Sequence, residues 1–263
     1  MDLGLKGKRA LVMGGAKGLG RSIADALAAE GAVLTISGRD VAAMEKAAGE
    51  LKALGAQGVI TVAADVSSGA DMDMLADTAT KAMGGVDILV LNHGGPPVCT
   101  ASEMKEEDLV KWFQNIVVSP IRITMRLMPA MRAQKFGRVI VVGSSGMQQP
   151  IPTLALSNTL RASIWAWLKT LAAEVAADGV TMNILAPGSI RTDRITQTAA
   201  VRAQRAGTTV EEEIAKAGRE VPAGRVGEPH EYGPMGAFLA GTTGAYITGT
   251  MVRVDGGRVR SML

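Results

Sequence analysis

Aromatic residues are scarce in this sequence, at 3% of 263 positions: three Phe, three Trp and two Tyr. Its interior must therefore be packed by Leu, Val, Ile, Ala and Met, and the 15 Met residues suit a core that adapts to irregular gaps. Cys99 is the single cysteine, which excludes an intrachain disulfide and fits a reducing compartment. No apolar run approaches the roughly 18 residues that a membrane helix needs. The first nine residues carry charges at Asp2, Lys6, Lys8 and Arg9 and lack an apolar stretch of the secretory kind, so a cytoplasmic location is expected. Charge of one sign is also missing. The 28 Lys and Arg stand against 25 Asp and Glu and are interspersed with them, which argues against a nucleic-acid footprint. No metal site is expected.

What the chain does have is hydrophobic residue, 47% in all, arranged as short apolar runs that alternate with longer amphipathic stretches. The runs at 9–13, 32–37, 58–63, 86–91, 138–142, 181–185 and 251–254 predict strands. The segments 18–30, 41–54, 71–83, 103–134, 154–177 and 228–239 predict helices. Residues 192–219 are polar and irregular, and are expected to be helical pieces forming a flap. This alternation predicts a doubly wound parallel α/β sheet of the Rossmann type, with right-handed crossovers and helices on both faces, as one domain over residues 1–263.

The first predicted strand runs straight into Gly14-Gly15-Ala16-Lys17-Gly18-Leu19-Gly20. Glycines there permit positive φ and close approach of backbone to a pyrophosphate, and the following helix offers free N–H groups and the positive end of its dipole. Dinucleotide binding is the expectation. The second strand ends in Ser37-Gly38-Arg39-Asp40. Arg39 can meet a 2′-phosphate with its planar fork, and Lys17 can reach the same group, so NADP(H) is favoured over NAD(H). Asp40 leaves a second reading open, in which a carboxylate takes the ribose 2′-hydroxyl.

With these features in place the sequence resembles the short-chain dehydrogenase/reductase family over essentially its whole length. The family's Thr-Gly-x-x-x-Gly-x-Gly turn corresponds to Met13 through Gly20, and its adenine-contacting Asp-Val to Asp65-Val66. Leu91-Asn92-His93-Gly94 corresponds to its Asn-Asn-Ala-Gly, and Pro187, Gly188, Ile190 and Thr192 to the stretch that contacts the nicotinamide carboxamide. Tyr246-Ile247-Thr248-Gly249 and Val254-Asp255-Gly256-Gly257 are similar to its C-terminal signature. The resemblance implies a homodimer or homotetramer. It also implies a cofactor site made of Gly14, Lys17, Gly18, Leu19, Gly20, Arg39, Asp65, Val66, Asn92, Gly94, Arg161, Pro187, Gly188, Ile190 and Thr192.

In the chemistry the sequence departs from that family, whose members use an Asn, a Ser, a Tyr thirteen residues after the Ser, and a Lys four residues after the Tyr. Asn115 and Ser144 occupy the first two positions, but Ser157 stands at the Tyr position and Arg161 at the Lys position. The only tyrosines, Tyr232 and Tyr246, lie far downstream. Ser157 and Arg161 are spaced to share one helix face. Arg161 keeps the donors and positive charge of a lysine but is no general acid near neutral pH, and a serine hydroxyl is a poor one. His93 is open to two readings, a proton donor or a residue that shapes the pocket. The resulting expectation is an NADP(H)-dependent oxidoreductase acting on a carbonyl/alcohol pair, with Asn115, Ser144, Ser157, Arg161 and His93 at its centre. The alternative is a non-catalytic NADP(H)-binding sensor or partner subunit.

Overall fold

The short apolar runs pair into one parallel sheet, seen in a computed structural model that describes residues 1–262. In chain order, β1 (Arg9–Met13) leads to α1 (Gly18–Ala29), β2 (Val33–Gly38) to α2 (Val41–Leu54), and β3 (Gly58–Ala63) to α3 (Gly69–Met83). Next come β4 (Ile88–Leu91), α4 (Glu106–Phe113), α5 (Ser119–Ala133), β5 (Gly137–Val142), α6 (Ala155–Val175) and β6 (Val180–Pro187). The chain closes with α7 (Asp193–Ala206), α8 (Val210–Arg219), α9 (Pro229–Ala240) and β7 (Met251–Val254). The strand order is β3-β2-β1-β4-β5-β6-β7. Every residue of β4 and β5 is buried, as the unbroken apolar runs require of strands covered on both faces.

The two faces can be read off β1. Ala10 and Val12 enter a core shared with α1, α2 and α9, whereas Leu11 and Met13 enter a second core under α3, α5 and α6. Because all strands run the same way, their carboxyl ends form one rim. The order reverses between β1 and β4, and a crevice opens there. Gly14, Asn92 and Gly188 follow directly on the strand ends that build it, and Ser144 lies one residue further along after β5.

One element differs from the expectation. The single helix predicted over 103–134 is broken into α4 and α5 by a π-helical turn at Gln114–Val118. Pro120 supplies no N–H to the ladder, so the backbone has no regular α bond to lose by widening just before it. Trp165 and Trp167 both pack, half-buried, on the core under α6. Of the acidic run at 211–213, Glu212 forms a capping box with Thr209 at the start of α8. Glu213 instead is buried and accepts a hydrogen bond from the Thr208 hydroxyl at 2.9 Å. The flap consists of α7 and α8, joined at Gly207, whose φ of 68° ends α7 in a left-handed cap.

Candidate active site

The floor of the crevice is backbone. Gly14 has a φ of 61°, and its N–H donates to the Ser37 carbonyl at 2.8 Å, tying the turn to β2. A Cβ at Gly20 would fall 2.5 Å from the Gly14 carbonyl oxygen, and one at Gly14 would fall 2.5 Å from Asn92 Nδ2. That amide donates to the Met13 and Gly14 carbonyls at 3.2 and 3.3 Å, so Asn92 braces the turn from β4. Lys17 caps α1 but makes no side-chain capping bond, and the first turn holds no acid. The amide groups there remain directed at the crevice, with the positive end of the helix dipole behind them. This backbone cradle, tight against any side chain and unneutralised, fits a pyrophosphate.

The charged groups beside the cradle form a short chain. Lys17 Nζ donates to Asp40 Oδ2 at 2.9 Å, and Asp40 Oδ1 accepts from the Ala43 N–H at 3.0 Å, capping α2. Both bonds hold Asp40 below the usual carboxylate range, the backbone bond first, and Asp40 raises Lys17 in turn. Asp40 is thus engaged at both oxygens. Arg39 is 81% exposed, and its guanidinium comes no nearer than 4.0 Å to Asp65. Asp65 accepts from the N–H and hydroxyl of Ser67 at 2.9 and 2.8 Å, and Val66 packs against the core. Of the groups at this end Arg39 is the one with an uncommitted fork.

At the other end of the crevice are side chains. Asn115 lies in the π-helical turn, 9% exposed, and its Oδ1 is buried with no hydrogen-bond partner. π-turns of this kind re-aim side chains at functional sites. Ser144 lies two residues past the end of β5, and its hydroxyl accepts from the Gly146 N–H at 3.1 Å. Ser157 and Arg161 lie on one face of α6, each 7% exposed. Arg161 Nη1 donates to the Val142 carbonyl at 2.6 Å, and no acid lies within 4.0 Å among the described residues. Burial of that uncompensated charge pushes its pKa down to about 10.

Neither tyrosine can replace Ser157. Tyr232 is fully buried, donates its hydroxyl to the Leu185 carbonyl at 2.9 Å, and has its pKa raised by desolvation. Tyr246 is fully exposed. His93 Nδ1 lies 2.8 Å from the Gly94 carbonyl oxygen, which can only accept, so Nδ1 carries the hydrogen and Nε2 the lone pair. Desolvation and the nearby Arg161 push the imidazolium pKa down to about 3. A ring neutral near pH 7 is a weak proton source, so the lowered pKa weighs against the proton-donor reading and for the pocket-shaping one.

The flap roofs the crevice from the β6 side. A Gly188 Cβ would strike Asp255 Cα at 2.6 Å, so this glycine is required by the neighbouring turn after β7. Ile190 is buried and forms a parallel bridge with Gly227 beneath the flap. The Thr192 methyl comes within 3.7 Å of where a Gly18 Cβ would sit, so the start of α7 meets the glycine turn, while Gly94 is open on its free side. Leu19 packs into the core under α1. Two residues not expected from the sequence join the site. Asn158 fills the space over Gly146 and donates to the Ile151 carbonyl at 3.0 Å. Arg194 reaches from α7 to the Pro96 carbonyl at 2.6 Å. Its position two residues after Thr192, at the start of the flap, was the available signal.

Comparison with known proteins bears on the whole chain. A family model described as enoyl-(acyl carrier protein) reductase matches residues 14–258. The 3-oxoacyl-(acyl-carrier-protein) reductase FabG of Haemophilus influenzae is 34% identical over 256 residues, covering 96% of this chain and 98% of the relative. The structure of L-sorbose reductase from Gluconobacter frateurii, complexed with NADPH and L-sorbose, superposes with a TM-score of 0.93 at 30% identity and covers both chains completely. YwfH, an NADPH-dependent reductase involved in bacilysin biosynthesis, superposes at 0.92 with 27% identity, covering 98% of this chain and all of that one. No helix among the described residues is long and apolar enough to cross a membrane.

Proposed function

The chain belongs to the short-chain dehydrogenase/reductase family, and from that premise we propose that it is an NADP(H)-dependent oxidoreductase interconverting a carbonyl and an alcohol, with Ser157 and Arg161 where the family has Tyr and Lys. The observation that carries the reading is Arg161. It is a buried cation bonded to one carbonyl and to no acid, on the helix face of Ser157 and near the end of β5. A guanidinium in that state has donors left for ribose hydroxyls and for a developing alkoxide.

The glycine cradle and the start of α1 would hold the pyrophosphate, Asp65 and Val66 the adenine, and Arg39 with Lys17 the 2′-phosphate. Engagement of Asp40 by Lys17 and the α2 cap weighs against its taking a ribose hydroxyl. The NADPH-bound relatives support the same cofactor. Bound NADPH supplies the hydride. Ser144 and Arg161 orient and polarise the substrate oxygen. Ser157 is shorter than a phenol and leaves room for water, and the unpaired Oδ1 of Asn115 is an acceptor for that water, which delivers the proton. Dispensing with a good general acid costs roughly 10²–10⁴ in rate, while orientation of the reactants is retained.

One further reading has an observation in its favour. Arg161 and His93 hold their protonation states near pH 7 and Tyr232 is sealed in the core, which suits a cofactor-bound sensor or partner subunit that does no chemistry. A homodimer or homotetramer in the cytoplasm completes the proposal, supported by the family and by the exposed Val110, Phe113, Val118 and Met125 along α4 and α5. The test is loss of NADPH absorbance with a panel of ketones, aldehydes and diketones, with NADPH binding verified in the same preparation. Turnover is expected; tight binding without turnover across the panel favours the sensor.

A further inference from the structure

We infer that Arg194 is the substrate-recognising residue of this crevice and that it takes a carboxylate, so that the substrates are small oxo acids and the corresponding hydroxy acids; this rests on the oxidoreductase reading above. Arg194 is half-buried, and its guanidinium lies against Gly95, where a Cβ would come within 3.1 Å of Cζ. A side chain at position 95 would displace it, so the glycine makes room for the arginine. Its hydrogen bond to the Pro96 carbonyl uses one of five N–H donors. No acid among the described residues lies within 4.0 Å, and Asp193, adjacent in sequence, is exposed and makes no ion pair with it.

Several arginines that reach the surface are neutralised instead. Arg21, Arg122, Arg126, Arg191 and Arg225 each pair with a carboxylate at 2.6 to 2.9 Å. Arg194 instead is partly desolvated without a counter-charge, a state it shares with Arg161 and with Arg138, whose donors are taken by the Gly137, Gly179 and Gly241 carbonyls, and desolvation lowers its pKa. Arg194 stands close enough to Arg161 that its charge is felt there, and Arg161 is unpaired as well. Two uncompensated guanidinium groups facing one cleft are unfavourable unless an anion joins them. Arg161 is committed to the reacting end. Arg194, on the flap and beside the loop after β4, is placed to fork a carboxylate at the other end of the substrate. A carboxylate held there would also draw α7 down over the crevice, coupling recognition to exclusion of water.

A phosphate of the cofactor is the competing source of negative charge, and binding measurements separate the two. The probes are 2-, 3- and 4-oxo acids of three to six carbons, each compared with its methyl ester, titrated calorimetrically into the NADP⁺-saturated protein. At least one acid is expected to bind tenfold or more tighter than its ester. Arg194→Met is expected to bring that ratio close to one while NADPH affinity changes less than twofold, and Arg194→Lys to fall between. Three results overturn the inference: no acid preferred over its ester, a preference that survives in Arg194→Met, or a tenfold loss of NADPH affinity in that variant, which assigns the guanidinium to the cofactor. The readout needs no turnover. Acid-selective binding without NADPH oxidation contradicts the oxidoreductase reading and leaves the carboxylate site standing; oxidation with neutral ketones and no acid preference does the reverse.

Discussion

The two ends of the crevice are built from different material. At the ends of β1 and β2 the contacts are main-chain: a turn at Gly14, a forbidden Cβ at Gly20, and the bare start of α1. At the end of β5 and along α6 they are side chains, Ser144, Ser157 and Arg161, the last of which ties α6 to the Val142 carbonyl. Main-chain geometry tolerates few alternatives, because a single methyl group collides with a carbonyl. A side chain on a packed helix can be exchanged without disturbing the helix. On the reading proposed above, this is how a chain of the family keeps the cofactor cradle while altering the acid.

The contrast gives graded expectations. Gly20→Ala drives a methyl into the Gly14 carbonyl, and overpacking of this kind costs about 1–3 kcal/mol. Because the shift falls on the cradle, NADPH affinity measured by fluorescence titration should fall by roughly 100-fold, equivalent to about 2.7 kcal/mol. An affinity within threefold of the parent would show that the main chain is not the binding element. The double substitution Ser157→Tyr with Arg161→Lys restores a phenol and its lysine on the same face. It should raise kcat by about 10–100-fold, within the range ascribed to a placed general acid, with KM for NADPH little changed. No gain would mean that the side-chain end depends on more than these two positions. Arg39→Ala removes a charge-assisted contact of about 1.5 kcal/mol and should weaken NADPH about tenfold while leaving NADH within twofold. Equal losses for both cofactors would remove the 2′-phosphate from Arg39.

The same contrast explains what was legible in the sequence. The strands, the glycine turn and α2, at Val41–Leu54, were readable because local sterics and periodicity decide them. The π-helical turn was not, since the hydrophobic pattern through residues 103–134 is continuous and only Pro120 hints at a break. Asn115, Ser144, Ser157 and Arg161 were placed by spacing against a family, and the structure brings Ser157 and Arg161 onto one buried face. The state of His93 depends on Arg161 and on a carbonyl one residue away, which no spacing reveals. Arg194 was missed because its significance lies in lacking an acidic partner, a property of three dimensions. The engagement of Asp40 by Lys17, which spans 23 residues, was hidden for the same reason.

Central to this picture is a reaction centre in which no side chain changes its protonation state near neutrality. His93, held down to about 3, stays neutral, and Arg161, held down to about 10, stays charged. The direct measurement is the pH dependence of kcat for NADPH oxidation with the best carbonyl substrate, between about pH 6 and 9, a range that lies between those two values. A flat profile is expected, with water supplying the proton. A limb centred near the ordinary histidine pKa of about 6.5, abolished in His93→Ala, would contradict it and return the proton to the histidine.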